Sequence, residues 1–200
     1  MTDEKRRRAR VLFEKNGPIL KTKLLRENRF CSRELAELIS RGDIQKVKTG
    51  YYIWASKASD LSDIETVATV IPFGIICWFS AAQVQDLTTA NPLEVSIAIP
   101  TTRTRVAVPQ HPPVRLVSAA PETFELGLLT ITVGQTAIRI YNKERTVCDF
   151  FRKRALLGED MALEVLHNYM SGNRNLQRLF EYADRLRIKK VIKPYVEALL

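Results

Sequence analysis

Two hundred residues, 46% hydrophobic and 26% charged, supply enough apolar material for one or two packed cores and exclude a disordered chain. The formal net charge of +9 points toward acidic partners, provided the cations gather on one part of the chain. The longest apolar stretch, VATVIPFGIICWFSAA, is broken by Pro72 and Gly74 and falls short of the ~20 residues a bilayer demands; with no apolar signal core behind the basic N-terminus, no membrane partner is expected and the chain is expected in the cytoplasm.

The first run, DEKRRRARVLFEKN (3–16), carries Val11, Leu12 and Phe13 and stops at Gly17-Pro18, which predicts a helix. Thr22 is placed to cap a second helix, KLLRENRF, with Leu24, Leu25 and Phe30 as its apolar surface. The next stretch, CSRELAELISRGDIQKVKTGYYIW (31–54), changes period halfway. Leu35, Leu38 and Ile39 fall at i, i+3 and i+4 behind Ser32 as N-cap, which predicts a short helix. After Gly42 the runs IQKVK and YYIW, joined by Thr49-Gly50, predict a β-hairpin. So short a helix is unstable alone and must lean on the two before it. Three helices and a hairpin, in that order, match a winged helix-turn-helix, whose third helix enters a DNA groove while the hairpin lies over the backbone.

Charge follows the same division. Residues 1–59 hold 15 Lys+Arg against 7 Asp+Glu, residues 60–138 hold 3 against 7, and residues 139–200 hold 13 against 8. The excess is largest where the DNA-reading elements are expected, as a phosphate-binding footprint requires. Arg6, Arg7, Arg8 and Arg10 fit equally a frayed basic terminus and an ordered phosphate clamp.

The polar segment SKASDLSD (56–63) reads as a linker, giving a DNA-binding domain at 1–59 and a second domain at 60–200. Ile64, Val67, Ala68 and Ile71 have helical spacing, and Ser80 could cap AAQVQDL. LEVSIAIP and VRLVS are β-rich, and LLTITV, Gly134-Gln135, TAIRIY predicts another hairpin. From Asn142 onward only helical patterns occur. The expected fold class is therefore α+β: a winged helix-turn-helix followed by a mixed α/β domain with a small sheet, ending in a helical bundle. In ERTVCDFFRKR and the residues just after it, Val147, Phe150, Phe151 and Leu156 are expected inside. Arg145, Arg152, Lys153 and Arg154 are expected outside, with Asp149 one turn after Arg145 as an i,i+4 partner. That string reads either as a solvated helix face or as a basic docking surface.

Searches for chemistry find little. His111 and His167 have no Cys, Asp or Glu at ligand spacing, so no metal is expected. Phosphate-loop, dinucleotide and nucleophile-elbow motifs do not occur, and no cofactor is expected. Cys31, Cys77 and Cys148, odd in number and far apart, are expected as unpaired, buried thiols. Trp54 and Trp78 are expected to be buried rather than to stack on bases.

GPILKTKLL, the 31–54 stretch, PLEVSIAIPTTRTRV and ERTVCDFF, in this order, resemble the AbiEi antitoxins of bacterial abortive-infection (type IV) toxin–antitoxin systems over essentially the whole chain. The chain departs from the family at Arg29-Phe30, where Gly and a small aliphatic residue are commoner, and at Tyr51-Tyr52, where Val-Tyr or Ile-Tyr is usual. With no phosphate loop and no catalytic carboxylate pattern, no enzymatic activity is expected. The resemblance implies a winged helix that represses its own promoter, and a C-terminal domain that counteracts, directly or indirectly, a nucleotidyltransferase toxin of the AbiEii type; because one short recognition helix reads only a few base pairs, the promoter DNA is expected to carry inverted repeats. Carried onto this chain, Lys21, Lys23, Arg33, Glu37, Arg41, Lys46, Lys48, Thr49 and Tyr51 become DNA-contact candidates, and Arg145, Asp149, Arg152 and Lys153 become part of an antitoxin surface. The competing class is a winged-helix protein with a nucleic-acid-processing or kinase-like C-terminal domain, which would release a cleaved or phosphorylated product.

Overall fold

Helix α1 (Asp3–Asn16) forms where the sequence predicts it, in a computed structural model that describes residues 2–103 and 105–200. It buries Ala9 and Phe13, while Val11 is left 54% exposed. The helix ends at Gly17, whose φ of +100° suits a residue without Cβ, and Pro18 cannot extend it. Strand β1 (Ile19–Lys21) follows, too short to be expected from the sequence. Helix α2 (Thr22–Glu27) starts with Lys21, not Thr22, at its cap position, and it ends before Arg29, which takes φ +64°. Helix α3 (Ser32–Ser40) likewise has Cys31 rather than Ser32 as N-cap, because the Glu34 carboxylate accepts the Cys31 backbone N–H at 2.8 Å.

Strands β2 (Ile44–Lys48) and β3 (Tyr51–Trp54) form the expected hairpin, with Gly50 at φ +83° in its turn. Strand β1 adds antiparallel to β3, so the sheet runs β1-β3-β2. Its core holds Phe13, Leu20, Leu25, Phe30, Leu35 and Leu38. Two ion pairs fasten α1 across this core: Lys5 to Glu34 on α3, and the Arg6 guanidinium to buried Asp43, with Nε 2.8 Å from Oδ2.

The segment expected as a linker holds a 3-10 turn, Ala55–Asp60, that leads into α4 (Asp63–Val70), capped by Ser62. A five-stranded sheet then assembles from β4 (Ile75–Ile76), β5 (Val95–Pro100), β6 (Val114–Ala119), β7 (Leu128–Val133) and β8 (Thr136–Tyr141), in the order β6-β5-β4-β8-β7. Pairs β5/β6 and β4/β8 are parallel; β4/β5 and β7/β8 are antiparallel. Helix α5 (Trp78–Val84) starts two residues before Ser80, so Ser80 is not its cap. Its buried hydroxyl instead accepts the Ser96 N–H at 2.9 Å and ties the helix to β5. A short helix α6 (Pro121–Phe124) lies before β7.

Helices α7 (Lys143–Arg152), α8 (Arg154–Leu157), α9 (Glu159–Ser171), α10 (Leu176–Arg185) and α11 (Lys189–Glu197) complete the chain. Consecutive strand residues face opposite ways. Ile75, Ala98 and Tyr141 therefore join the core under α5, α7, α9, α10 and α11, while Ile76, Ile97 and Ile140 join a second core under α4. That second core also contains Ile19, Val47 and Ile53, so apolar packing runs continuously from the N-terminal sheet into the central one.

Candidate nucleic-acid interface

Helix α3 sits on the N-terminal core through Leu35 and Leu38, which turns the face carrying Arg33, Glu37, Ser40 and Arg41 outward at i, i+4 and i+7/i+8 spacing. Arg33 and Arg41 are exposed and Glu37 is half-buried. Arg41 Nη2 lies 3.4 Å from Glu37 Oε1. Glu34 points elsewhere: the Lys5 ammonium and the Cys31 N–H hold its carboxylate down at about 2. One of the two α3 carboxylates that could repel phosphate is thereby neutralised by α1.

The ribbon β2-β3 is bulged. Ile44, Gln45 and Lys46 pair with Trp54, Ile53 and Tyr52, but Lys48 pairs with Tyr51, leaving Val47 as the extra residue. The bulge drives Val47 inward, leaves Lys46 exposed, and turns Lys48 beside the Tyr51 ring at 4.8 Å. Lys21, opposite Tyr51 on β1, lies 5.7 Å from the same ring, and exposed Thr49 forms the tip. Two ammonium groups thus flank one aromatic ring. Burial, then repulsion from Lys21, pushes the Lys48 pKa down, a strain that an anion arriving between the lysines would relieve.

Lys48 also donates to the Ala107 carbonyl at 3.0 Å, and the Gln110 N–H donates to the Val47 carbonyl at 3.2 Å. The 101–113 connection between β5 and β6 is therefore fastened to the outer edge of β2. The structure places the two lysine candidates differently: Lys46 is exposed, whereas Lys48 is half-buried and already donates to a carbonyl.

Ion pairing sorts the remaining cations. Arg10 pairs with Glu14 at 2.8 Å, Lys23 with Glu27 at 3.9 Å, and Lys57 with Asp60 at 2.9 Å. With Lys5 and Arg6 tied internally, α1 is ordered, not frayed, and only part of its charge faces outward. Among the DNA-contact candidates, Lys21, Arg33, Lys46 and Lys48 have no carboxylate partner among the described residues; Lys23 and Arg41 do.

The C-terminal candidates separate sharply. Arg152 and Lys153 are exposed, but Arg145 and Asp149 are 2% and 6% exposed and are not surface residues. Helix α7 lies between sheet and helices, with every residue from Glu144 to Phe151 buried. Arg145 Nε donates to Asp149 Oδ2 at 3.0 Å, its Nη1 donates to the carbonyls of Thr123 at 2.6 Å and Leu126 at 3.0 Å, and its guanidinium lies 4.3 Å from the Tyr141 ring centre. The pair was legible as i,i+4; its burial was not. Arg154 is half-buried and donates to Phe151, and Leu156, expected inside, is 60% exposed.

The cysteines and tryptophans divide by their place in the fold. Cys77 and Cys148 are free and buried, but Cys31 is free and exposed, because its place at the α3 cap lies outside the core. Trp78 is buried and Trp54 half-buried, its ring 5.5 Å from that of Phe13. Among the described residues no cluster of His, Cys, Asp or Glu could hold a metal ion, and no helix is long and apolar enough to cross a membrane. A cleft of 750 Å³, lined by Phe13, Trp54, Lys57, Glu65 and Gln135 among others, lies between the N-terminal sheet and the β7-β8 turn. Its Glu65 carboxylate is occupied by Ser62 and Thr136. No family model matches the chain, and no curated protein matches it.

Proposed function

We propose that the chain is a DNA-binding autorepressor and the antitoxin of a type IV toxin–antitoxin system, acting in the cytoplasm by binding and not by catalysis. Residues 1–59 serve as a winged helix-turn-helix, with α3 in the major groove and β2-β3 as the wing; residues 60–200 serve as the antitoxin domain. The observation that supports DNA binding is the outward-facing Arg33/Glu37/Arg41 stripe, both of whose arginines are exposed, beside a cationic ribbon whose Lys21 and Lys46 lack carboxylate partners among the described residues. The first fits base edges, where Arg reads guanine and Glu accepts from cytosine; the second fits phosphates. The antitoxin half rests on the AbiEi resemblance alone, with Arg152 and Lys153 as its remaining surface candidates.

One short recognition helix reads only a few base pairs, so two copies would occupy an inverted repeat with half-sites a whole number of helical turns apart. Binding titrations on the DNA upstream of the chain's own coding sequence test the reading. Arg33→Ala or Arg41→Ala is expected to reduce discrimination from random DNA by about 1–3 kcal/mol. Lys46→Ala is expected to weaken both DNAs alike and flatten the salt dependence by about one unit. Unchanged binding in all three variants would sink the DNA half. Failure of the intact chain to restore growth against a co-expressed AbiEii-type nucleotidyltransferase would sink the antitoxin half.

A further inference from the structure

The 101–113 connection has a composition its role as a crossover does not explain. Its sequence, TTRTRVAVPQHPP, holds no Asp or Glu, and Arg103 and Arg105 are two of only three Lys or Arg residues between 60 and 138, a region whose net charge is −4. The third, Arg115, pairs with Glu94, whereas these two have no ion-pair partner among the described residues. They lie in the connection that is hydrogen-bonded to β2, beside the most basic part of the chain, where Lys48 already feels repulsion from Lys21. Concentrating like charge in this way is unfavourable unless an anion is shared.

The connection is also anchored. Pro109 and Pro112 are buried, Val106 packs against the core shared by the two sheets, and the Arg103 guanidinium rests 3.9 Å from the centre of the Phe73 ring while remaining exposed. Arg105 is exposed and has no ion-pair partner among the described residues. Arg103 is thus held on the Phe73 ring, and Arg105 stands exposed in a connection that Ala107 and Gln110 fasten to the outer edge of β2, so the backbone that carries it has less freedom to lose on binding.

We infer that this connection is a second phosphate-gripping element, which extends the wing outward and places Arg103 and Arg105 on duplex backbone beyond the stretch covered by β2-β3. It makes the DNA footprint a joint product of the N-terminal residues and of the region assigned to toxin antagonism. The inference rests on the DNA-binding reading above, with α3 and β2-β3 against the duplex.

The test uses the full chain, a random-sequence duplex about three helical turns long, and a titration over a salt series. Arg105→Ala is expected to flatten the slope of log K against log salt by about 0.9, and Arg103→Ala with Arg105→Ala by nearly two. Arg105→Lys should keep the slope, and thermal melting should not move for Arg105→Ala. Shortening the duplex at its ends should cost the intact chain the affinity that the double variant has already lost. A wild-type slope in Arg105→Ala and in the double variant, on DNA whose binding still depends on Lys46, would overturn this inference and leave the DNA-binding reading standing. No binding of the intact chain to any duplex would overturn both. If Arg103→Ala lowers the melting temperature, Arg105→Ala alone decides.

Discussion

Arg145→Met should be among the most damaging substitutions in the chain, although a helical wheel would place this arginine in solvent. The side chain binds the Asp149 carboxylate at 3.0 Å, caps the Thr123 and Leu126 carbonyls at 2.6 and 3.0 Å, and lies 4.3 Å from the Tyr141 ring centre. Removing it strands a carboxylate that is 6% exposed, together with two backbone acceptors. Breaking a buried pair from one side costs about 3–5 kcal/mol. For a protein of this size that lowers the melting temperature by roughly 6–20 °C.

The loss has a pH signature. Burial, only partly opposed by Arg145, holds the Asp149 pKa above the ordinary aspartate range. The folded state therefore favours the protonated acid, and the associated stability is present at low pH and lost as pH rises through the folded value. Without Arg145 that value rises further. The deficit against wild type should be smallest in acid and should grow toward neutrality, and adding Asp149→Asn should recover much of it. Urea unfolding at about pH 5 and about pH 8 measures both effects. A loss below about 0.5 kcal/mol, the range of ordinary surface changes, or a deficit independent of pH, would refute the reasoning.

Glu34→Gln removes a carboxylate held at about 2 by Lys5 and the Cys31 N–H. Its contribution is present above the unfolded value of about 4.3 and is lost as pH falls toward the folded one. Acid unfolding of the wild type should show this component, and the variant should lack it. A fragment of residues 60–200 lacks Ile19, Val47 and Ile53, which share the core of Val67, Val70 and Ile71. It should be less stable than the intact chain by about 1.5–3 kcal/mol for each side chain lost, readable by denaturant unfolding and by dye binding to the bared face. At Arg29, with φ +64°, Arg29→Gly should leave stability nearly unchanged, while Arg29→Val should cost about 1–2 kcal/mol; equal melting temperatures for the two variants would contradict this.

The hairpins at Thr49-Gly50 and Gly134-Gln135 were legible because a two-residue turn between β-rich runs is a local signal. The α3 face was legible for the same reason, Leu35 and Leu38 fixing what must point inward. What escaped was set by distant partners. Strand β1 has three residues and exists because β3 lies beside it. The bulge at Val47, which separates Lys46 from Lys48 in role, leaves no mark in IQKVK. The burial of Arg145 follows from α6, the turn after it and the end of β8 closing over it through Thr123, Leu126 and Tyr141, and no periodicity within ERTVCDFFRKR could report that.

The central strand β4 consists of two residues, Ile75 and Ile76, joined on one side to β5 and on the other to β8, with Ile76 opposite Ile140. On the ribosome this imposes a sequence of events. Helix α1 through β3 find their core partners within the first 54 residues and can close early, whereas the middle of the large sheet must wait until β8, more than sixty residues further on, has emerged. Until then Ile76, Ile97 and the inner faces of Val67 and Val70 have no lid on the β8 side. The nascent chain therefore carries a basic head whose own core has closed, with Ile19, Val47 and Ile53 still bare, on an unfinished apolar body. A pause in translation between residues 76 and 140 should raise aggregation without disturbing the fold of the first fifty-four residues.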